Sequence, residues 1–202
     1  YQTKEFVGDV TDSSCVKRNF RTFRADVVIH TAAFTDVNKC EKNKKRCYEV
    51  NYVGTHHLLD SAKKIKARFI YISTASVFSG QEGNYNERDK PDPKNYYSLT
   101  KLLGEAPVID YKKGTVTRIN IIGIHKDGSR GKNFFEWLVD SVEKNEDMKL
   151  FKDVIINPLS NHTLAELIIL LIRNKSNPKI INLASRGPLS KAAIGEIVIE
   201  GA

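Results

Sequence analysis

Short apolar runs alternate along the chain with stretches whose apolar positions recur every three or four residues. Asp26-Val-Val-Ile-His30 is a compact apolar run, the pattern of a strand buried on both faces. From Cys47 to Ile65, the positions Val50, Val53, Leu58, Leu59 and Ala62 fall at helical spacing and predict a long amphipathic helix. Arg68-Phe-Ile-Tyr-Ile72 predicts the next strand. Gly80 to Lys94 is rich in Gly, Asn, Asp and Pro, which predicts an exposed loop. A helix around Tyr97 to Glu105 and a strand over Val116–Ile121 follow. After Gly131 the pattern predicts helices over Asn133–Val142 and Leu164–Ile172, a strand over Asn177–Leu183, and a last helix N-capped by Ser190.

Alternation of this kind predicts an α/β fold: a mostly parallel, Rossmann-like sheet with helices on both faces. Sites in such folds gather beyond the carboxyl ends of the strands. Three loops leave those ends: Thr31–Asp36, Ser73–Phe78 and Ile122–His125. Residues 1–125 carry the regular rhythm and read as the core. Residues 126–202 lack it and read mainly as a small C-terminal lobe, with some elements returning to the core.

Composition narrows the classes. The hydrophobic content of 41% in 202 residues suits a globular domain with a substantial core. No run reaches the roughly 18 apolar residues that cross a bilayer, and the first residues lack the apolar core of a signal peptide. No membrane partner and a cytoplasmic location are the expectations. The net charge of +8 raises the question of nucleic acid. The basic residues are dispersed, however, over Lys39–Arg46, Lys63–Lys66 and Lys112–Lys113, and they flank apolar stretches as solvated faces do. No nucleic-acid partner is expected, whereas a basic cleft for a phosphate-bearing ligand fits. Cys15, Cys40 and Cys47 form neither a disulfide framework nor a zinc spacing; packing and no metal are the expectations.

Tyr97 and Lys101 stand four apart within Asn95-Tyr-Tyr-Ser-Leu-Thr-Lys101-Leu-Leu-Gly-Glu105, on one face of a helix. An ammonium beside a phenol favours the phenolate and lowers a pKa that is ordinarily about 10. Such a tyrosine can exchange a proton with a carbonyl or alcohol oxygen. An ordinary helix surface carries the same spacing, so spacing alone leaves both readings open. His30 reads as a strand-end or core residue, Asn51 as a brace for a neighbouring strand or loop, and Glu105 as a packing or pairing residue.

Gly8-Asp-Val-Thr-Asp12, Asp26-Val-Val-Ile-His-Thr-Ala-Ala33, Asn51-Tyr-Val-Gly54, Ile72-Ser-Thr74 with Val77-Phe78, and Tyr97 through Glu105 occur in an order that resembles the dTDP-4-dehydrorhamnose reductase family of the extended short-chain dehydrogenase/reductases. The resemblance implies a catalytic set of Thr74, Tyr97 and Lys101. Thr74 would hydrogen-bond the substrate oxygen and Tyr97 would protonate it. Lys101 would lower the tyrosine pKa and bind the nicotinamide ribose. It also implies NADPH or NADH as cofactor, with Asp9 and Val10 near the adenine end and Ala32 and Ala33 against the cofactor. The substrate it implies is a nucleotide-linked 4-keto-6-deoxysugar, and a homodimer is possible. The alternatives are a related nucleotide-sugar epimerase or dehydratase, and a dinucleotide-binding regulatory subunit like the beta subunit of methionine adenosyltransferase.

Two departures from the family pattern stand out. The glycine-rich strand-turn-helix expected at the amino end is missing, since Gly80, Gly83, Gly128 and Gly131 lie in the wrong context; the core reads as N-terminally incomplete. Ser73-Thr-Ala-Ser-Val-Phe78 replaces the usual Ser-Thr-Asp-Tyr-Val-Phe, so Ala75 and Ser76 remove a carboxylate and a ring, and Ile121 stands where an aromatic residue is usual.

Overall fold

The computed structural model describes residues 8–124, 133–174 and 176–201. Tyr1–Phe6, His125, Gly128 and Gly131 lie outside the described residues. The helices are α1 (Ser13–Thr22), α2 (Val37–Lys42), α3 (Lys44–Tyr48), α4 (Gly54–Lys64), α5 (Tyr96–Asp110), α6 (Phe134–Glu143), α7 (Asn161–Arg173) and α8 (Lys191–Glu200). The strands are β1 (Val27–His30), β2 (Arg68–Thr74), β3 (Gly114–Ile119), β4 (Ile121–Ile122), β5 (Ile155–Ile156), β6 (Leu159–Ser160), β7 (Ile180–Leu183) and β8 (Leu189–Ser190).

Two compact units result. One runs to Arg118 and takes back Asn174–Asn182; the other comprises Ile119–Arg173 and the residues from Leu183 onward. The first unit is built on a sheet of order β1-β2-β3-β7, in the parallel, helix-flanked arrangement that the alternation predicted. β1 and β2 pair in parallel, with Val28 opposite Phe69 and His30 opposite Tyr71. Phe69 and Tyr71, two apart on β2, bury their rings with Val16, Leu58, Leu59, Ala62, Val108 and Val116, as period-two alternation requires. β1 is the edge of the described sheet, and Ile29 on it is 45% exposed.

The long helix expected from Cys47 to Ile65 is α3 and α4 joined through a π-helical turn at Glu49–Val53. α1 was not announced by the pattern, because Val16 is its one buried residue and leaves little periodic signal. Asp12 nevertheless caps it, accepting from the amides of Ser14 and Cys15 at 2.8 and 3.1 Å. α2 ends at Asn43, whose side chain caps α3 by accepting from the Arg46 amide at 3.1 Å. That break folds the two short helices together and brings the Cys40 and Cys47 Cα atoms to 5.2 Å, joined as a disulfide. The expectation that these cysteines merely pack is therefore corrected. A continuous helix would have held them about 10 Å apart. Cys15 is free.

Gly104 on α5 is required by close approach. A Cβ there would lie 2.6 Å from the Tyr71 hydroxyl and 3.0 Å from the Asn51 carbonyl oxygen. Gly104→Ala is expected to destabilise by about 1–2 kcal/mol, overpacking outweighing the better helix propensity. Urea unfolding of the two proteins checks this; equal or higher stability in the variant would contradict the close fit.

In the second unit β4 runs parallel to β6 and β5 antiparallel to β8. Asn133 and Glu136 form a capping box at α6, and Ser190 caps α8 by accepting from the Ala193 amide at 2.9 Å.

Candidate active site

Because β1 and β2 are parallel neighbours, their carboxyl ends share one edge of the sheet. Beyond β1 come Ala32, exposed, and Ala33, half-buried. The next residue, Phe34, is fixed from both sides by the buried Asn51. Its amide donates to Asn51 Oδ1 at 2.8 Å, and Asn51 Nδ2 donates to its carbonyl at 3.1 Å. Asn51 Nδ2 also reaches Thr100 Oγ1 on α5 at 3.0 Å. Asn51 is thus the brace that its position predicted, seated in the π-helical turn. Such turns recur at functional sites.

β2 ends at Thr74. It is buried, and its Oγ1 accepts from the Ser76 amide at 3.1 Å, capping the 3-10 turn Ala75–Val77. Ala75 is half-buried and Ser76 exposed on that turn. α5 begins next to it, capped by Asn95, which accepts from the Ser98 amide at 2.8 Å. This start brings the Tyr97 phenol near Thr74, close enough for the Thr74 hydroxyl to favour the phenolate. Packing around the phenol pushes the Tyr97 pKa up to about 12, and the Thr74 hydroxyl draws it partly back.

Lys101 turns elsewhere. Its Nζ donates to the Ile72 carbonyl at 2.7 Å and sits 4.0 Å from the centroid of the Tyr71 ring. Burial pulls its pKa down to about 7, with Glu105 opposing that shift. The expectation that Lys101 lowers the Tyr97 pKa is not met in this arrangement, in which burial of the phenol dominates.

Asp9 and Val10 stand on the amino side of α1. Asp9 Oδ1 accepts from the Thr11 amide and hydroxyl at 2.9 and 2.7 Å, and its Oδ2 pairs with Arg46 Nη2 at 3.0 Å. The Thr11 hydrogen bonds, and then Arg46, hold its carboxyl down at about 2. The carbonyl of Val10 accepts from His57 Nδ1 at 3.1 Å. Its side chain fills the space a Cβ on Gly54 would need, 2.6 Å away. The structure therefore brings Tyr97 near Thr74, while Lys101, on the same helix, holds to the Ile72 carbonyl and the Tyr71 ring. Asp9 and Val10 are linked to them through the helical stretch that carries Arg46 and Asn51. Arg46 escaped the sequence reading, since its partner is distant in the chain. Among the described residues no cluster of His, Cys, Asp and Glu is arranged to hold a metal.

The family model described as RmlD substrate binding domain matches residues 2–202. The chain belongs to this family. Membership places it with the dTDP-4-dehydrorhamnose reductases in the extended short-chain dehydrogenase/reductase superfamily, where the motif order had pointed. The spore coat polysaccharide biosynthesis protein SpsK of Bacillus subtilis is 29% identical over 95% of the chain. The dTDP-4-dehydrorhamnose reductase of Mycobacterium tuberculosis H37Rv is also 29% identical over 95%. The chain spans 66% and 64% of these two proteins. The crystal structure of a hypothetical dTDP-4-dehydrorhamnose reductase from Sulfolobus tokodaii superposes with a TM-score of 0.86 at 30% identity, over all of this chain and 71% of that one. The Bacillus anthracis reductase in complex with NADP gives 0.88 at 25% identity, with the same coverage.

Proposed function

We propose that this protein reduces the 4-keto group of a nucleotide-linked 6-deoxysugar, dTDP-4-dehydrorhamnose, using NADPH or NADH. The observation that carries the reading is the buried Thr74 hydroxyl at the end of β2 beside a Tyr97 phenol that keeps its proton at neutral pH. Two hydroxyls side by side at the carboxyl end of β2 are suited to one carbonyl oxygen, Thr74 to hold it and Tyr97 to protonate it. Supporting this, the Mycobacterium relative carries the reductase name and the Bacillus anthracis structure holds NADP.

The residues present fit a nicotinamide cofactor. Ala32 and Ala33 leave an open, small-residue surface at the end of β1, and Lys101 supplies a buried cation close to the end of β2. In this reading Ala32 and Ala33 lie along the cofactor, Asp9 and Val10 meet its adenine end, and Lys101 and Tyr97 meet its nicotinamide ribose. The bound cofactor supplies the hydride. Thr74 orients the substrate carbonyl, and Tyr97 transfers its phenolic proton to that oxygen as negative charge develops there. Ala75 and Ser76 leave this proton chemistry untouched and make the sugar side of the turn less bulky and less acidic.

The protein acts as a homodimer in this reading. Leu99 and Leu103 stand one turn apart on α5, each 39% exposed, a ridge that a second copy would cover. Among the described residues no helix is long and apolar enough to cross a membrane. A reductase drawing on the cell's reduced nicotinamide belongs in the cytoplasm.

The test is oxidation of NADPH and NADH by the purified protein with dTDP-4-dehydrorhamnose. Turnover that depends on the sugar nucleotide supports the assignment. Firm cofactor binding with no turnover on this or related keto-sugar nucleotides sinks it.

A further inference from the structure

The turn that carries Thr74 is tied on both flanks to one buried ion pair. On its near side, the Ser73 hydroxyl donates to Glu105 Oε1 at 2.6 Å. Arg118 meets the same carboxylate. Its Nε lies 3.2 Å from both oxygens and its Nη2 lies 2.7 Å from Oε2. On the far side, the Arg118 guanidinium lies 5.0 Å from the centroid of the Phe78 ring. That ring is itself stacked on Tyr85 at 4.5 Å and 3°. Glu105 is one helical turn beyond Lys101 and two beyond Tyr97, on the same face of α5. The pair therefore joins α5, β2 and β3 around Thr74.

Resting on the reading above, we propose that Glu105 and Arg118 are positioning residues: a clamp that sets the Thr74 turn against the α5 face bearing Tyr97. Stability is a poor explanation for the pair. Its side chains are 1% and 3% exposed, and buried ion pairs are often matched or bettered by apolar residues of similar volume. Among the described residues Arg118 Nη1 has no hydrogen-bond partner, so the pair leaves a buried donor unsatisfied. What apolar packing would not supply is direction. A forked guanidinium on a carboxylate fixes both angle and distance, and hydroxyls that share one reacting oxygen demand both.

The clamp is tested with Glu105→Leu combined with Arg118→Met, an apolar pair that fills the space without leaving a lone charge. Two readouts are taken: steady-state kinetics, and the 13Cζ signal of Tyr97, assigned with Tyr97→Phe. The folded double variant is expected to lose about 100-fold in kcat while KM changes by no more than about threefold. Its Tyr97 signal shifts, because the Thr74 hydroxyl no longer sits beside the phenol. A kcat within about twofold of the parent, or an unmoved Tyr97 signal, overturns the proposal. If the double variant does not fold, Ser73→Ala decides by the same two readouts, with a smaller loss in kcat expected; no change overturns the proposal. If the parent shows no turnover, the reductase reading fails on its own, and the Tyr97 signal alone judges the clamp.

Discussion

Tyr97→Phe is expected to lower kcat for the keto-sugar nucleotide by about 100- to 10,000-fold, the usual contribution of a positioned general acid. The substitution keeps the ring and its packing and deletes one oxygen. Thr74 does not become an orphan, because its Oγ1 still accepts from the Ser76 amide. The fold is therefore expected to survive with a stability change of about 1 kcal/mol or less. Cofactor affinity should move by less than about tenfold, since a lost hydroxyl contact is worth little beside the rest of a dinucleotide. The phenol stays protonated until the pH approaches 12, so the deficit should persist across the neutral range. Steady-state kinetics with a fluorescence titration of NADPH checks all of this. A loss in kcat of less than about tenfold would remove Tyr97 from the acid role.

That pKa also marks how far the sequence could be read. Helical spacing put Tyr97 and Lys101 on one face, and the structure agrees. The direction of a long side chain is a separate matter, decided by what lies opposite. Opposite Lys101 are the Ile72 carbonyl and the Tyr71 ring, both from a strand about 30 residues earlier, and nothing in the local pattern announces them. The strands β1 and β2 were legible because their apolar runs are short and bounded by polar residues. The cap at Ser190 was legible because capping is local chemistry. α1 was not, having one buried side chain. The disulfide was hidden by the break at Asn43, which converts a seven-residue spacing along a helix into a hairpin. Glu105 was readable as a packing or pairing residue, and Arg118 becomes its partner only when β3 lies beside β2.

His30 gives the largest stability effect expected outside catalysis. Its ring is buried between Phe69 and Tyr71. Thr55 donates its hydroxyl proton to the Asn51 carbonyl at 2.6 Å, so the His30 Nε2 proton is the one shared with Thr55 Oγ1 at 2.9 Å. Nδ1 is then bare, buried and without a partner among the described residues. Protonating it would bury a second positive charge near Lys101. Burial first, and that cation second, hold the His30 pKa down at about 3. The unfolded chain binds this proton below about pH 6.5, while the folded chain refuses it until about pH 3. Between those values the unfolded state carries more protons, so stability rises with pH and is lost as pH falls. The full displacement is worth roughly 5 kcal/mol, a large share of a typical domain's stability. Asp9, whose carboxyl is held at about 2, adds to the acid loss only below its ordinary range near 4. The window from about pH 6.5 to 4.5 thus isolates the histidine from that carboxylate. Urea unfolding there should show stability falling by close to about 1.4 kcal/mol per pH unit. His30→Gln, which retains a donor for Thr55 and cannot titrate, should flatten that slope even if it starts less stable. An equal slope in parent and variant would mean that His30 accepts its proton without unfolding, and that the acid sensitivity of the fold lies in other groups.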